Sequence, residues 1–446
     1  MIERVFERLG RRAQAADALW RRAEHTSVAF ESGRLKAAGV SEESGINLRV
    51  VREGRIGVAG TTATGPADLD SLVERALASA ELGEPPEITF PAPSLLPDVP
   101  THSAAARDAS LERLIEIGRG LVARLGRPGC QVNVAVERTT GETTAGNTAG
   151  ARGAYPSTEV AVTADLTRIG GDDVLMVYDV YTGTGVPAAT DLDAIVASIE
   201  GRLDAALRLA EAPAGALPVV FSPPGLAAIL LPLEQGLSGK AVLQGISPLA
   251  ERVGAELFDP RVSLSDDPLV PGRVASRPID DEGVPSRATC LVERGVVRRF
   301  VYDLETATRA GTTSTGNGHR SIFGKPRIGY TNLIIGGRDH RNAPRATRNA
   351  QRLGGGLTDA IDDGLLVDDM IGVGQGNVIS GAFSHPVGLA YRVRQGEIVG
   401  RVKDAAVAGN VYDLLKRVGG FGDDWRWYGS RWGPSILLEG VSVARR

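Results

Sequence analysis

Residues 212–240 read APAGALPVVFSPPGLAAILLPLEQGLSGK, and the punctuation inside this stretch divides the chain. Ala212-Pro213-Ala214-Gly215 marks a boundary between domains, because Pro and Gly interrupt regular structure. The short β-prone run Leu217–Phe221 follows. Pro223-Pro224-Gly225 then turns the chain into one apolar helix. The apolar run Leu226–Leu233 contains Pro232 and is far too short to span a bilayer.

Upstream of the boundary, strands alternate with amphipathic helices. Ile46, Leu48 and Val50 alternate as on a half-buried strand, Glu53-Gly54 supplies a turn, and Ile56–Gly60 returns. Leu69, Leu72, Val73, Ala76, Leu77 and Ala80 line one face of a helix that starts near Pro66. The proline-rich segment 85–100 reads as an extended linker. Beyond it come a helix on Leu111–Leu125, strands around 132–136, 160–164 and 174–180, and a helix on Leu192–Leu207 begun by Thr190 with Asp193 three residues on. Downstream of Asp266, short β segments and Gly turns dominate, with hairpins at Arg294-Gly295 and Gln395-Gly396. A late helix, Val411–Val418, has Asn410 as its cap and Gly419-Gly420 as its stop. The expected fold is α+β. Residues 1–214 form an N-terminal α/β domain of two helix-flanked β lobes (about 1–84 and 101–212), and 215–446 form a β-rich, barrel-like C-terminal domain.

Composition narrows the function classes. Fifty basic against 54 acidic residues give a net charge of −4, so no bulk field draws in nucleic acid or anionic lipid. The N-terminus Met1–Arg8 carries charges where a signal peptide needs an apolar run, so a cytoplasmic protein is expected. Cys130 and Cys290 are expected as unpaired, buried thiols. The five histidines (His25, His102, His319, His340 and His385) include no pair one helical turn apart, the spacing that aims two nitrogens at one zinc ion. No serine stands in Gly-x-Ser-x-Gly. Gly236–Ala241 is too short for a phosphate loop and has Ala241 where the metal-binding hydroxyl belongs. Asp280-Asp281-Glu282-Gly283 could do acid–base work if buried, but a solvated turn closed by Gly283 is the expectation. Arg341, Arg345, Arg348 and Arg352 would share a helix face suited to phosphate, yet no aromatics interleave for base stacking, and nucleic acid is not the expected partner.

Several short strings, in order, carry a resemblance. They are Gly45-Ile46-Asn47-Leu48-Arg49-Val50 with Gly54-Arg55-Ile56-Gly57, Asp280-Asp281-Glu282-Gly283-Val284, Ser314-Thr315-Gly316-Asn317, Gly381-Ala382-Phe383-Ser384 and Ala408-Gly409-Asn410. With them the chain resembles the TldD/PmbA family, and within it the PmbA (TldE) branch. TldD-type members carry a zinc-protease helix of form HExxxH and a further cysteine ligand near the C-terminus. Here the matching helix follows Pro223-Pro224-Gly225. Pro232 and Leu237 stand in the places of the two histidines and Leu233 in that of the general-base glutamate, with Glu234 one position off. The cysteine region falls near Tyr428-Gly429-Ser430, without a thiol, and no histidine lies between residues 103 and 318. The resemblance implies that this chain binds no metal and does not catalyse alone. It further implies a heterodimer with a TldD-like HExxxH subunit that holds the zinc, acting on unfolded or leader peptides. Ser314, Thr315, Gly316, Asn317 and His319, with Gly381, Phe383 and Ser384, are the candidate residues of a peptide cavity. A metal-independent homodimeric peptide-binding protein, or a gyrase- or nucleic-acid-associated modulator, is the alternative.

Overall fold

The computed structural model describes residues 1–85, 87–171, 173–336 and 352–445. Its N-terminal part is one antiparallel six-stranded sheet. The strands are Ala15–Glu31, Arg34–Arg52, Arg55–Thr61, Cys130–Asn147, Arg152–Gly170 and Asp173–Gly183. The first strand is central, flanked by the second on one side and the fourth on the other, so the two expected lobes share a single sheet. Ile46, Leu48 and Val50 pack on Leu69, Leu72 and Val73 of helix Pro66–Glu81. Val132, Val134, Val160 and Val162 pack on Leu114, Leu121, Ile199 and Leu203. Gly57 permits the close seat of the first of these helices, since a Cβ there would lie 2.0 Å from the Ala76 carbonyl oxygen.

Helix Leu111–Leu125 starts where Ser110 Oγ accepts from Arg113 N at 3.2 Å. The next helix, Ala189–Ala206, begins earlier than Thr190 predicts. Asp191, not Asp193, reaches back to cap Ala188 N at 2.8 Å.

The C-terminal part is built on a closed barrel. Strands Gly215–Phe221, Asp363–Met370, Ala382–Arg394, Ala405–Asn410 and Ile436–Arg445 each pair with two others of the set, which closes a five-stranded ring. Closure leaves these five without a free edge. An open six-stranded sheet stands beside it, formed by Leu264–Asp266, Thr289–Glu293, Val296–Val297, Leu333–Ile335, Arg426–Tyr428 and Arg431–Gly433. Helix Ala227–Gly236 packs Ile229, Leu230 and Leu233 into the core between them. Both predicted hairpins form with left-handed backbone at both turn residues (Arg294 φ 48, Gly295 φ 82; Gln395 φ 49, Gly396 φ 84), the conformation that matches strand twist.

Three local expectations change. The late helix ends at Leu414, and Gly419-Gly420 lie inside a strand, Val418–Phe421, paired with Ile436–Leu438. Strand pairing there takes backbone groups that a longer helix would have used. Cys130 is half-buried and Cys290 exposed, both unpaired. An irregular register between Cys290 and Val292 turns the thiol outward while Leu291 and Val292 enter the core. Among the described residues, no helix is long and apolar enough to cross a membrane.

Candidate functional site

Pro232, Leu233 and Leu237 are buried. Proline has no N–H, so Pro232 deprives the Ala228 carbonyl of its helical partner. Two tyrosines brace the helix through its carbonyls. The Tyr412 hydroxyl lies 3.0 Å from both Pro232 O and Ile379 O, and Tyr330 donates to Glu234 O at 2.6 Å. Burial raises the pKa of both phenols, with the Glu234 carboxylate adding to the effect at Tyr330. Tyr412→Phe is expected to lower unfolding free energy by about 1 kcal/mol, the net worth of one such bond, read from the midpoint of a urea titration.

Glu234 itself turns into a cavity of about 350 Å³ whose walls include Ser238, Gly329, Tyr330, Ser430 and Arg431. Its carboxylate accepts from Arg431 Nε at 3.1 Å and Nη2 at 2.8 Å. Helix Ala227–Gly236 and the Ser430-Arg431 segment thus meet at one cavity, bridged by an ion pair.

The Ser314–His319 segment supports this cavity from behind. Thr315 Oγ1 lies 2.6 Å from Asn317 Oδ1, and Asn317 Nδ2 donates to Asp266 at 2.6 Å and to Gly329 O at 2.9 Å. Asp266 also accepts from Thr331 N at 2.7 Å. Burial pushes its carboxyl up to about 6. Ser314 Oγ bonds to Gly316 N at 3.2 Å, and Gly316 (φ 80) takes the tight turn. The His319 ring lies flush against Gly329, where a Cβ would come within 2.4 Å of it. Burial and the Arg277 guanidinium lower its pKa to about 3, so the imidazole is neutral at physiological pH. These residues position the wall without lining it.

Gly381, Phe383 and Ser384 lie elsewhere. Gly381 (φ 76) packs on the Tyr412 ring, Phe383 packs edge-on against Phe221 in the core, and Ser384 is exposed. Tyr412 joins Gly381 to the helix through its bond to Pro232 O. Arg341, Arg345, Arg348 and His340 lie outside the described residues, and Arg352 pairs with Asp359.

Asp280, Asp281 and Glu282 do not form a solvated turn. They are 1%, 2% and 2% exposed, at the junction of the first sheet with the C-terminal part. The cause is a set of partners far away in sequence. Arg49 grips Asp17 (3.0 and 2.7 Å) and Glu282 (2.9 Å), Arg21 reaches Asp281 at 2.5 Å, and Arg320 pairs with Asp17. The Gly318 and Arg320 backbone amides donate to Asp280 and Asp281 at 2.9 and 2.8 Å.

Burial pushes Glu282 up from 4.5 to about 7; Arg49 opposes the shift and neighbouring Asp280 and Asp303 add to it. Burial also raises Asp280, to about 6. A carboxyl raised in the fold favours its protonated form. Its contribution is therefore most favourable below pH 4.5, declines as pH rises to about 7, and is constant above that. Melting temperatures between pH 5 and 7.5 should show this decline, and Glu282→Gln should flatten it.

Zinc needs lone-pair donors converging within bonding distance. Pro232, Leu233 and Leu237 offer none from their side chains, the Glu234 carboxylate is engaged, and the cation in the cavity is Arg431. Among the described residues, no three His, Cys, Asp or Glu side chains gather as a metal site. The residues present do not fit zinc.

Comparison with known proteins agrees with this architecture. The family described as PmbA/TldA metallopeptidase C-terminal domain matches residues 214–445, and PmbA/TldA metallopeptidase domain 1 matches 16–80. The chain is 25% identical to a Methanothermobacter thermautotrophicus metalloprotease, over 90% of this chain and 86% of that one. It is 26% identical to a Haemophilus influenzae metalloprotease PmbA homolog, over 51% of this chain and 46% of that one. Apart from the first, the chain spans half or less of the length of the curated relatives it matches. The crystal structure of TldE from Thermococcus kodakarensis superposes with a TM-score of 0.88 at 24% identity, covering 99% of each chain, and so shares the fold. With the C-terminal match alone spanning more than half its length, the chain belongs to the PmbA/TldD metallopeptidase family.

Proposed function

We propose that this chain is the noncatalytic, TldE/PmbA-type subunit of a cytoplasmic zinc metallopeptidase. It pairs with a TldD-like HExxxH subunit that carries the zinc, and it helps enclose the space in which unfolded or leader peptides are cut. The observation that carries this reading is the helix Ala227–Gly236. Its inward positions are Pro232 and Leu233, Leu237 closes it, and Glu234 is tied to Arg431. A hydrolytic zinc site needs three protein ligands, an open position and a base for water. The Glu234 carboxylate already accepts two hydrogen bonds from Arg431. The sheet junction adds support, since its buried ion network fixes the first sheet on the C-terminal part as a rigid platform for a partner.

The test is affinity capture of the tagged full chain from its native lysate, with mass spectrometry of what is retained. A family member with HExxxH, retained at near one-to-one ratio, is the expected result. Recovery without such a chain, from cells that express one, overturns the pairing.

A further inference from the structure

The cavity beside helix Ala227–Gly236 holds one carboxylate and one guanidinium, and each leaves part of the other unused. Both donors of Arg431, Nε at 3.1 Å and Nη2 at 2.8 Å, go to a single oxygen, Oε1 of Glu234. Among the described residues, Oε2 of Glu234 accepts no hydrogen bond and Nη1 of Arg431 donates none. Glu234 and Arg431 keep 18% and 32% of their side-chain surface open to solvent. Three neutral polar side chains of the same wall, Gln235, Ser238 and Ser430, also have no hydrogen-bond partner among the described residues. The wall is held from behind. Tyr330 ties the Glu234 backbone through its hydroxyl, Leu333 N donates to Ser430 O at 2.9 Å, and Leu333 pairs with Arg431 across two strands. The free groups therefore stand in place before a ligand arrives, which lowers the ordering cost of binding. A volume of about 350 Å³ lies at the small end of the range for ligand sites.

We propose that this cavity binds a free α-amino acid, its ammonium donating to Oε2 of Glu234 and its carboxylate accepting from Nη1 of Arg431. Charge selects the class of ligand. The pair is neutral as a whole, so a lone anion must compete with Glu234 for the guanidinium, and a lone cation must compete with Arg431 for the carboxylate. A zwitterion meets both, through two charge-assisted hydrogen bonds. Spacing selects among zwitterions. The two protein groups stand 2.8 Å apart, so the ligand must carry its opposite charges close together. An α-amino acid has one carbon between its ammonium nitrogen and its carboxylate carbon. A dipeptide sets its two ends on different α-carbons, about 3.8 Å further apart along the chain. Gln235, Ser238 and Ser430 offer donors and acceptors to the remaining ammonium protons and carboxylate lone pairs. Ile328 and Tyr330 add apolar wall, which suits an aliphatic side chain such as that of leucine. This site goes beyond the proposed function, because every residue named belongs to one chain and none depends on a zinc subunit.

Isothermal titration calorimetry of the purified full chain tests it, with L-leucine as the first probe and the other protein amino acids after it. The amino acid that binds should do so at one site per chain. Its N-acetyl and carboxamide derivatives, which each lack one charge, should bind about 10-fold more weakly or worse, the worth of one hydrogen bond to a charged group. Glu234→Gln and Arg431→Gln should each cause a loss of the same size, with circular dichroism confirming that both variants keep their fold. The two derivatives test the same contacts on the unaltered chain. Saturable binding by none of the amino acids overturns the proposal, as does binding indifferent to both substitutions. An N-acetyl derivative that binds as tightly as its parent would mark a plain carboxylate site, and leucyl-leucine binding more tightly than leucine would mark a peptide site. Either result also overturns it.

Discussion

Arg49→Met should lower the unfolding free energy by about 3–5 kcal/mol, the range expected when one partner of a buried ion pair is removed. Arg49 is 2% exposed and joins Asp17, on its own sheet, to Glu282 of the C-terminal part, while its guanidinium also lies 5.3 Å from the Phe90 ring centroid. Methionine keeps much of the volume and none of the charge. Two carboxylates then face a poorly solvated junction with fewer cations to balance them. Burial opposes ionisation of Asp17, but Arg320 and Arg49 together hold its carboxyl below the ordinary range. Without Arg49 that depression relaxes and part of the loss can be relieved by protonation. The destabilisation should therefore be smaller at pH 5 than at pH 8. Arg49→Lys should recover only a fraction, since an ammonium cannot span two carboxylates as a guanidinium fork does. Urea unfolding followed by tryptophan fluorescence measures all three. A loss under 1 kcal/mol for Arg49→Met would mean that the junction is hydrated and that the network does not hold the two parts together.

The acidic triplet shows where reading a sequence alone stops. Asp280-Asp281-Glu282-Gly283 has the composition of a surface turn, and nothing within ten residues on the N-terminal side argues otherwise save Arg273 and Arg277. The cations that make burial tolerable include Arg21 and Arg49, more than 200 residues upstream, and only the fold brings them there. The first strand was unreadable for a related reason. Asp17, Arg21, Arg22 and Glu24 break its apolar alternation because the middle of the strand meets an ion network and solvent, while Ala16 and Ala18 near one end and Val28 and Phe30 near the other enter two cores. Where one face meets helices, as at Ile46–Val50 and Val132–Val136, period-two alternation suffices.

The candidate site was half legible. The apolar run after Pro223-Pro224-Gly225 announces a buried helix, and Ser430 lines the same cavity as Glu234 of that helix. The Ser314–His319 segment, expected in a peptide cavity, lies behind the wall that carries Gly329 and Tyr330. Hydroxyl, amide and glycine residues suit a peptide groove and a buried hydrogen-bonded turn equally, and only burial separates the two. Arg431, which lines the cavity and pairs with Glu234, carries no signal among 45 arginines.

The most direct test of the central claim is cleavage of an unstructured peptide mixture by this chain alone, by a TldD-like HExxxH subunit from the same cells, and by the two together. The chain alone should stay at buffer background, with or without added zinc. The pair should cleave at least ~100-fold faster than that background, a small part of the acceleration that enzymes supply. A chelator should abolish the activity and zinc restore it. Turnover by this chain alone, retained after repurification, would contradict the account and mark it as a peptidase in its own right.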